Sequence, residues 1–224
     1  LEAQGLFIHS ANHWVKACRR YQKLPKKERD NSVLAAMYLD AALAYAGAGK
    51  TSKALSLTIK ANKLFERCHD QSNALITRFN IASLLYDKGQ YSDSDFACVS
   101  IIFSLAAPEA EGSRKATFSD PTLAAKTLLQ MANNSEFSGN AEDSSRLYGQ
   151  ALKMYYQTAD YKKQAEITYR MGWLLKKSDR FETALQYFKA SFIIRMLTER
   201  KKALLRQAYL KARIFWSLGL QHRA

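Results

Sequence analysis

The turn residues Gly49, Gly89, Gly139 and Asp179 stand 40, 50 and 40 residues apart, and no other feature of the chain restricts its fold as much. On each side of every turn, apolar residues recur at helical spacing. The pairs are Leu34 to Tyr45 with Thr51 to Phe65, Leu75 to Tyr86 with Tyr91 to Phe103, Pro121 to Met131 with Ala141 to Tyr155, and Gln164 to Leu175 with Phe181 to Met196. Turns this short make the two helices of a pair antiparallel neighbours. A hairpin repeated at a fixed period of this size marks a solenoid, whose units bury their apolar faces against one another. The extra ten residues of the middle step fall in the polar stretch Ala106 to Pro121, "AAPEAEGSRKATFSDP", which ends in an N-cap aspartate and a first-turn proline.

Composition bears on this in three ways. Only 3 prolines and 9 glycines occur in 224 residues, which favours long helices over a many-turned β architecture. Cys18, Cys68 and Cys98 form no Cys-x-x-Cys pair, so neither a disulfide framework nor a cysteine zinc site is expected, and a reducing, cytoplasmic compartment is. The sequence has no apolar run approaching the roughly 18 residues of a membrane span and no secretory pattern at its start; Leu1 in place of Met reads as a piece of a longer chain. The net charge is +14, and residues 161–224 carry 15 basic against 4 acidic side chains, or +11 of that total.

Small and large residues recur in register with the turns. In "RMGWLLKKSDRFETALQYFKAS" the sequence sets Met171, Gly172, Leu175, Phe181, Ala184, Phe188 and Ser191 at fixed steps about Asp179. This pattern resembles the tetratricopeptide repeat. The matching residues are Ala41, Ala42, Tyr45, Thr51, Ala54, Thr58 and Ala61 about Gly49; Ile81, Ala82, Leu85, Tyr91, Ser94, Cys98 and Ile101 about Gly89; and Met131, Ala132, Ser135, Ala141, Ser144, Tyr148 and Ala151 about Gly139, with Thr51 and Thr58 standing where the pattern has aromatics. The small positions let paired helices approach and the large ones fill the space between them. The resemblance covers Leu34 to Met196, with a period of 40 in place of the usual 34 and without the usual proline at the repeat end. It implies an all-α fold, a right-handed superhelical stack of antiparallel hairpins. Residues 1–224 then form a single domain: an N-terminal helix in 1–30, two hairpins in 31–105, a loop insertion in 106–121, two hairpins in 122–198, and a basic helix or cap in 199–224. Ala203 to Leu218 reads as one more first helix or as that cap.

Two motifs suggest chemistry and neither sustains it. "GAGKTS", Gly47 to Ser52, ends like a phosphate-binding loop, but Ala44 stands where the first glycine belongs and the preceding residues have helical rather than strand character. His9 and His13 have the i, i+4 spacing of metal ligands, with no third ligand evident. No catalytic residue, metal or cofactor is expected, and the chain is not expected to be an enzyme.

In tetratricopeptide-like stacks the first helix of each pair lines the concave face, so the resemblance implies a binding surface there. On the fourth hairpin it is Tyr169, Arg170, Trp173, Lys176 and Lys177; carried forward by 40 it is Arg206, Tyr209, Arg213 and Trp216, a basic and aromatic stripe. Asn80, Tyr86 and Asn133, with Leu39, Leu43, Phe79, Ser83, Leu129 and Gln130, form a more apolar, amide-lined section. Trp, Tyr and Arg are frequent binding hot spots and Arg pairs well with carboxylates, so the expected partner is a protein or peptide, acidic or amphipathic. Nucleic-acid binding by the basic C-terminal third, and a peptide-sensing regulatory role, are the alternatives.

Overall fold

The computed structural model describes the backbone of residues 2–106 and 118–217, with the side chains of 4–202 within them apart from Lys26. Among the described residues the fold is all-α, without a strand, in the order α1 (Glu2–Tyr21), α2 (Asn31–Gly47), α3 (Thr51–Arg67), α4 (Gln71–Asp87), α5 (Tyr91–Leu105), α6 (Pro121–Phe137), α7 (Ala141–Gln157), α8 (Tyr161–Lys177) and α9 (Phe181–Ser217). The helices lie where the periodicity places them. The four first helices α2, α4, α6 and α8 are each 17 residues long.

That regularity has a local cause at both ends. Asp30, Asp70, Asp120 and Asp160 cap the first helices, accepting the backbone amides of Ser32, Asn73, Leu123 and Lys163; each such cap is worth about 1 kcal/mol. At the other end Gly49, Gly89 and Gly139 take φ of +71°, +75° and +83°, and Asp179 takes +57°. The amide that follows each of them then reaches back five residues: Lys50 to Tyr45, Gln90 to Leu85, Asn140 to Ser135 and Arg180 to Leu175, at 2.8 to 3.0 Å. A left-handed residue thus satisfies a helix-end carbonyl and reverses the chain.

The chain divides into two compact units, Leu1–Leu147 and Tyr148–Ala224, with the boundary inside α7. In the first, Ala41, Ala42, Tyr45, Ala54 and Leu57 pack with Ala11 of α1 and Leu84 of α4, and Ala35, Ala61, Phe65 and Ala74 form a second cluster. The second helices are also tied to the first by hydroxyls: Ser94 Oγ donates to the Ala82 carbonyl at 2.8 Å and Ser144 Oγ to Ala132 at 3.0 Å. Both serines are fully buried, so each bond removes a desolvation cost of about 1–3 kcal/mol. In the second unit Gly172 lets α8 and α9 approach closely, and Ser191 Oγ donates to the Ala165 carbonyl at 2.7 Å.

Two features differ from expectation or refine it. No new helix starts at Ala203: α9 runs without a break for 37 residues, because no Gly or Pro occurs between Phe181 and Ser217 to stop it. Leu218 lies outside the described residues. The insertion is pinched at its base by an isolated bridge between Ala106 and Phe118, with Ser119 N donating to Leu105 O at 3.0 Å; residues 107–117 lie outside the described residues.

Candidate functional site

Helix α8 separates its residues by period. Gln164, Ala165, Ile167, Thr168, Gly172 and Leu174 are buried, and Tyr169 and Trp173, one turn apart, remain exposed. Their rings meet edge to face with centroids 6.4 Å apart, and Phe188 of α9 touches both, at 5.4 and 6.0 Å. Two cations lie over this cluster: Lys176 Nζ is 4.4 Å from the centre of the Trp173 ring, and the Arg195 guanidinium is 5.4 Å from that of Tyr169. Such cation–aromatic contacts fix the side chains at about 0.5–1 kcal/mol each when exposed.

The electrostatics of α8 are one-sided. Its sole acid, Glu166, is held by Lys163 at 2.9 Å and by Arg170 at 3.8 Å. Lys176 and Lys177 occupy the last turn, where the helix dipole favours cations. The expected residues Tyr169, Trp173 and Lys176 are therefore brought into one cluster, with Arg170 in the Glu166 pairing and Lys177 exposed beside them. The sequence reading missed Arg195. Its signal was available, since it lies seven residues after Phe188 and so two turns along the same side of α9.

In the first unit the picture is mixed. Tyr86 belongs to a second aromatic group with Tyr91 and Phe137, with centroids 5.5 to 5.8 Å apart. Asn80 and Asn133 are half-buried on α4 and α6, helices that touch one another. Leu129 and Gln130 do not line a surface. Both are buried, and Gln130 Nε2 donates to Asn134 Oδ1 at 3.2 Å, because an additional apolar turn of α6 is drawn into the packing. Arg206, Tyr209, Arg213 and Trp216 lie on the continuation of α9, not on a further first helix; their side chains lie outside those described.

The motifs that suggested chemistry have structural roles. "GAGKTS" is the turn between α2 and α3, with Lys50 in the N-cap position. His9 and His13 place their rings 4.6 Å apart on α1, and among the described residues no group of three His, Cys, Asp or Glu side chains is arranged to hold a metal. Burial pushes the Cys98 thiol up to about 12, far from a reactive thiolate. Among the described residues no helix is long and apolar enough to cross a membrane.

No protein-family model matches the chain, and no curated protein matches it by sequence. The backbone is similar to several solved structures. BtubC (BKLC) from P. vanneervenii superposes with a TM-score of 0.71 at 15% identity, over 88% of this chain and 76% of that one. A Rap protein complexed with competence and sporulation factor gives 0.64 at 12% identity, over 85% of this chain and 50% of the other. A Podospora anserina kinesin light chain with nearly identical TPR-like repeats gives 0.60 at 11%, over 89% and 95%. At these identities the likeness is one of fold, and the fold is that of tetratricopeptide-like helical repeats.

Proposed function

Taking that helical-repeat fold as the premise, we propose that the chain is a protein-interaction scaffold that holds an acidic or amphipathic segment of a partner on its first-helix face. The observation that carries this reading is the exposed cluster of Tyr169 and Trp173 with Lys176 and Arg195 set over the rings. Aromatic anchors of this kind bury large areas at small entropic cost, and the cations beside them suit carboxylates. That a Rap protein of the same fold is found complexed with competence and sporulation factor supports a binding role. Within the first unit, Asn80, Tyr86 and Asn133 form a separate amide and aromatic candidate group, and in the second Arg206 and Arg213 add positive charge to the sequence of α9. The role assigns no bond-making step to any residue.

The test is affinity capture with mass spectrometry, run in parallel on the wild type and on a variant carrying Lys176→Glu, Lys177→Glu and Arg195→Glu. The expected result is loss of the captured partner with unchanged helicity by circular dichroism. Retention of the same partner at full affinity would sink the assignment.

A further inference from the structure

Two of the second helices, α3 and α5, provide a polar seat for the first helix that follows them. On α3, Glu66 takes Arg78 of α4 at 2.8 Å. On α5, Asp95 accepts Asn134 Nδ2 of α6 at 2.8 Å. Counted from the turn residue, Asp95 is six positions after Gly89 and Glu66 is seventeen after Gly49. The same two steps from Asp179 reach Leu185 and Met196 on α9. Among the described residues no helix follows α9, and Leu185 and Met196 are 52% and 58% exposed, alongside Phe181 at 59% and Phe192 at 63%. Steps of four, seven and four place these side chains on one stripe of the helix. Where α3 carries Glu66 and α5 carries Asp95, each satisfied by the next helix, α9 carries exposed apolar side chains.

The charge around the stripe identifies what fits it. Helix α9 holds eight Lys and Arg side chains against Glu182 and Glu199, with Lys189 exposed between Leu185 and Phe192 and Arg200 exposed one turn beyond Met196. Two copies of such a helix repel one another. An apolar stripe flanked by acids is matched in both respects. We propose that the outer face of α9 is a second docking site, separate from the α8 cluster, that seats an amphipathic helix of a partner protein with Glu or Asp beside its apolar stripe. The partner helix takes the place that α4 takes on α3 and α6 takes on α5.

The experiment uses the full chain and two fluorescein-labelled helical peptides of about 18 residues, or five turns. Both carry leucines at three-four spacing, one with Glu flanks and one with Lys flanks, and binding is read by anisotropy. The Glu peptide should bind, and the Lys peptide should bind at least about tenfold more weakly. Leu185→Lys with Phe192→Lys removes the apolar contacts and keeps the positive charge, and should weaken the Glu peptide by at least about tenfold; if that pair loses helicity, Met196→Lys alone is the readout. Trp173→Ala, at the α8 cluster, should weaken the Glu peptide less than the α9 substitutions do. Absence of binding, equal binding of the two peptides, indifference to the α9 substitutions or a loss with Trp173→Ala as large as theirs each overturns the proposal. So does a dimer in sedimentation that the α9 substitutions dissolve, which would assign the face to a second copy.

Discussion

A methyl group on Gly172 would lie 2.8 Å from the Phe188 ring, closer than packed carbon atoms come. This glycine is what lets α8 and α9 meet, and Phe188 in turn touches both Tyr169 and Trp173. Gly172→Ala gains helix propensity of about 0.5–1 kcal/mol, while overpacking costs about 1–3 kcal/mol. A net loss of stability is expected in thermal unfolding, together with a change in Trp173 fluorescence. Adding Phe188→Leu should recover part of the stability and none of the original fluorescence.

Tyr155 is buried with a hydroxyl that finds no partner among the described residues. Leaving such a group dry costs about 1–3 kcal/mol, so Tyr155→Phe should stabilise the chain by about 1 kcal/mol. Burial and the nearby charges of Asp160 and Glu166 also raise the phenol from 10.0 to about 12. The folded state therefore holds this proton more tightly than the unfolded state, and stability falls as pH rises from 10 towards 12. Alkaline unfolding of Tyr155→Phe should lack that contribution.

Asp95 reports on the α5–α6 seat. Burial raises its carboxyl above 3.8, the hydrogen bond from Asn134 opposes this, and the Asp143 charge adds to it. The raised value means that the protonated form is favoured on folding, so stability declines as pH climbs above 3.8. Asp95→Asn keeps an acceptor for Asn134 and removes the charge. Its thermal midpoint at pH 7 should rise, and the pH dependence just above 3.8 should flatten.

The turns give a paired test. Asp179 occupies the left-handed conformation that Gly89 occupies in the second hairpin. A side chain there costs on the order of 1 kcal/mol. Asp179→Gly should stabilise by up to about 1 kcal/mol and Gly89→Ala should destabilise by about 1–2 kcal/mol, both measured by denaturant unfolding. Equal effects of the two in the same direction would show that the turn conformation does not set the register.

Much of the repeat frame was legible because it rests on local chemistry. The glycine and aspartate turns act within five residues, so their spacing alone located all four hairpins. The caps Asp30, Asp70 and Asp160 follow the same 40- and 50-residue steps as Asp120, and the arithmetic that found the turns would have found them. The packing partners were less legible. Leu129 and Gln130 are buried by the way α6 seats, which periodicity within one helix cannot show; Arg195 was legible as the residue two turns beyond Phe188 on α9, but only once α9 is paired with the exposed rings of α8. The unbroken course of α9 was legible in the absence of a breaker between Phe181 and Ser217, but extension of the 40-residue register forward obscured it.

Trp173 sits at the centre of the proposed binding surface and offers the most direct measurement. Trp14→Phe with Trp216→Phe leaves it as the sole tryptophan. Its emission is then followed during titration with an extended, Glu- and Pro-rich peptide that cannot form the helix suited to α9. Peptide bound at this cluster should give a saturable change that weakens as salt is raised and that Lys176→Glu with Lys177→Glu abolishes. Emission that stays constant at low salt up to millimolar peptide, or a titration curve indifferent to those two substitutions, would contradict it.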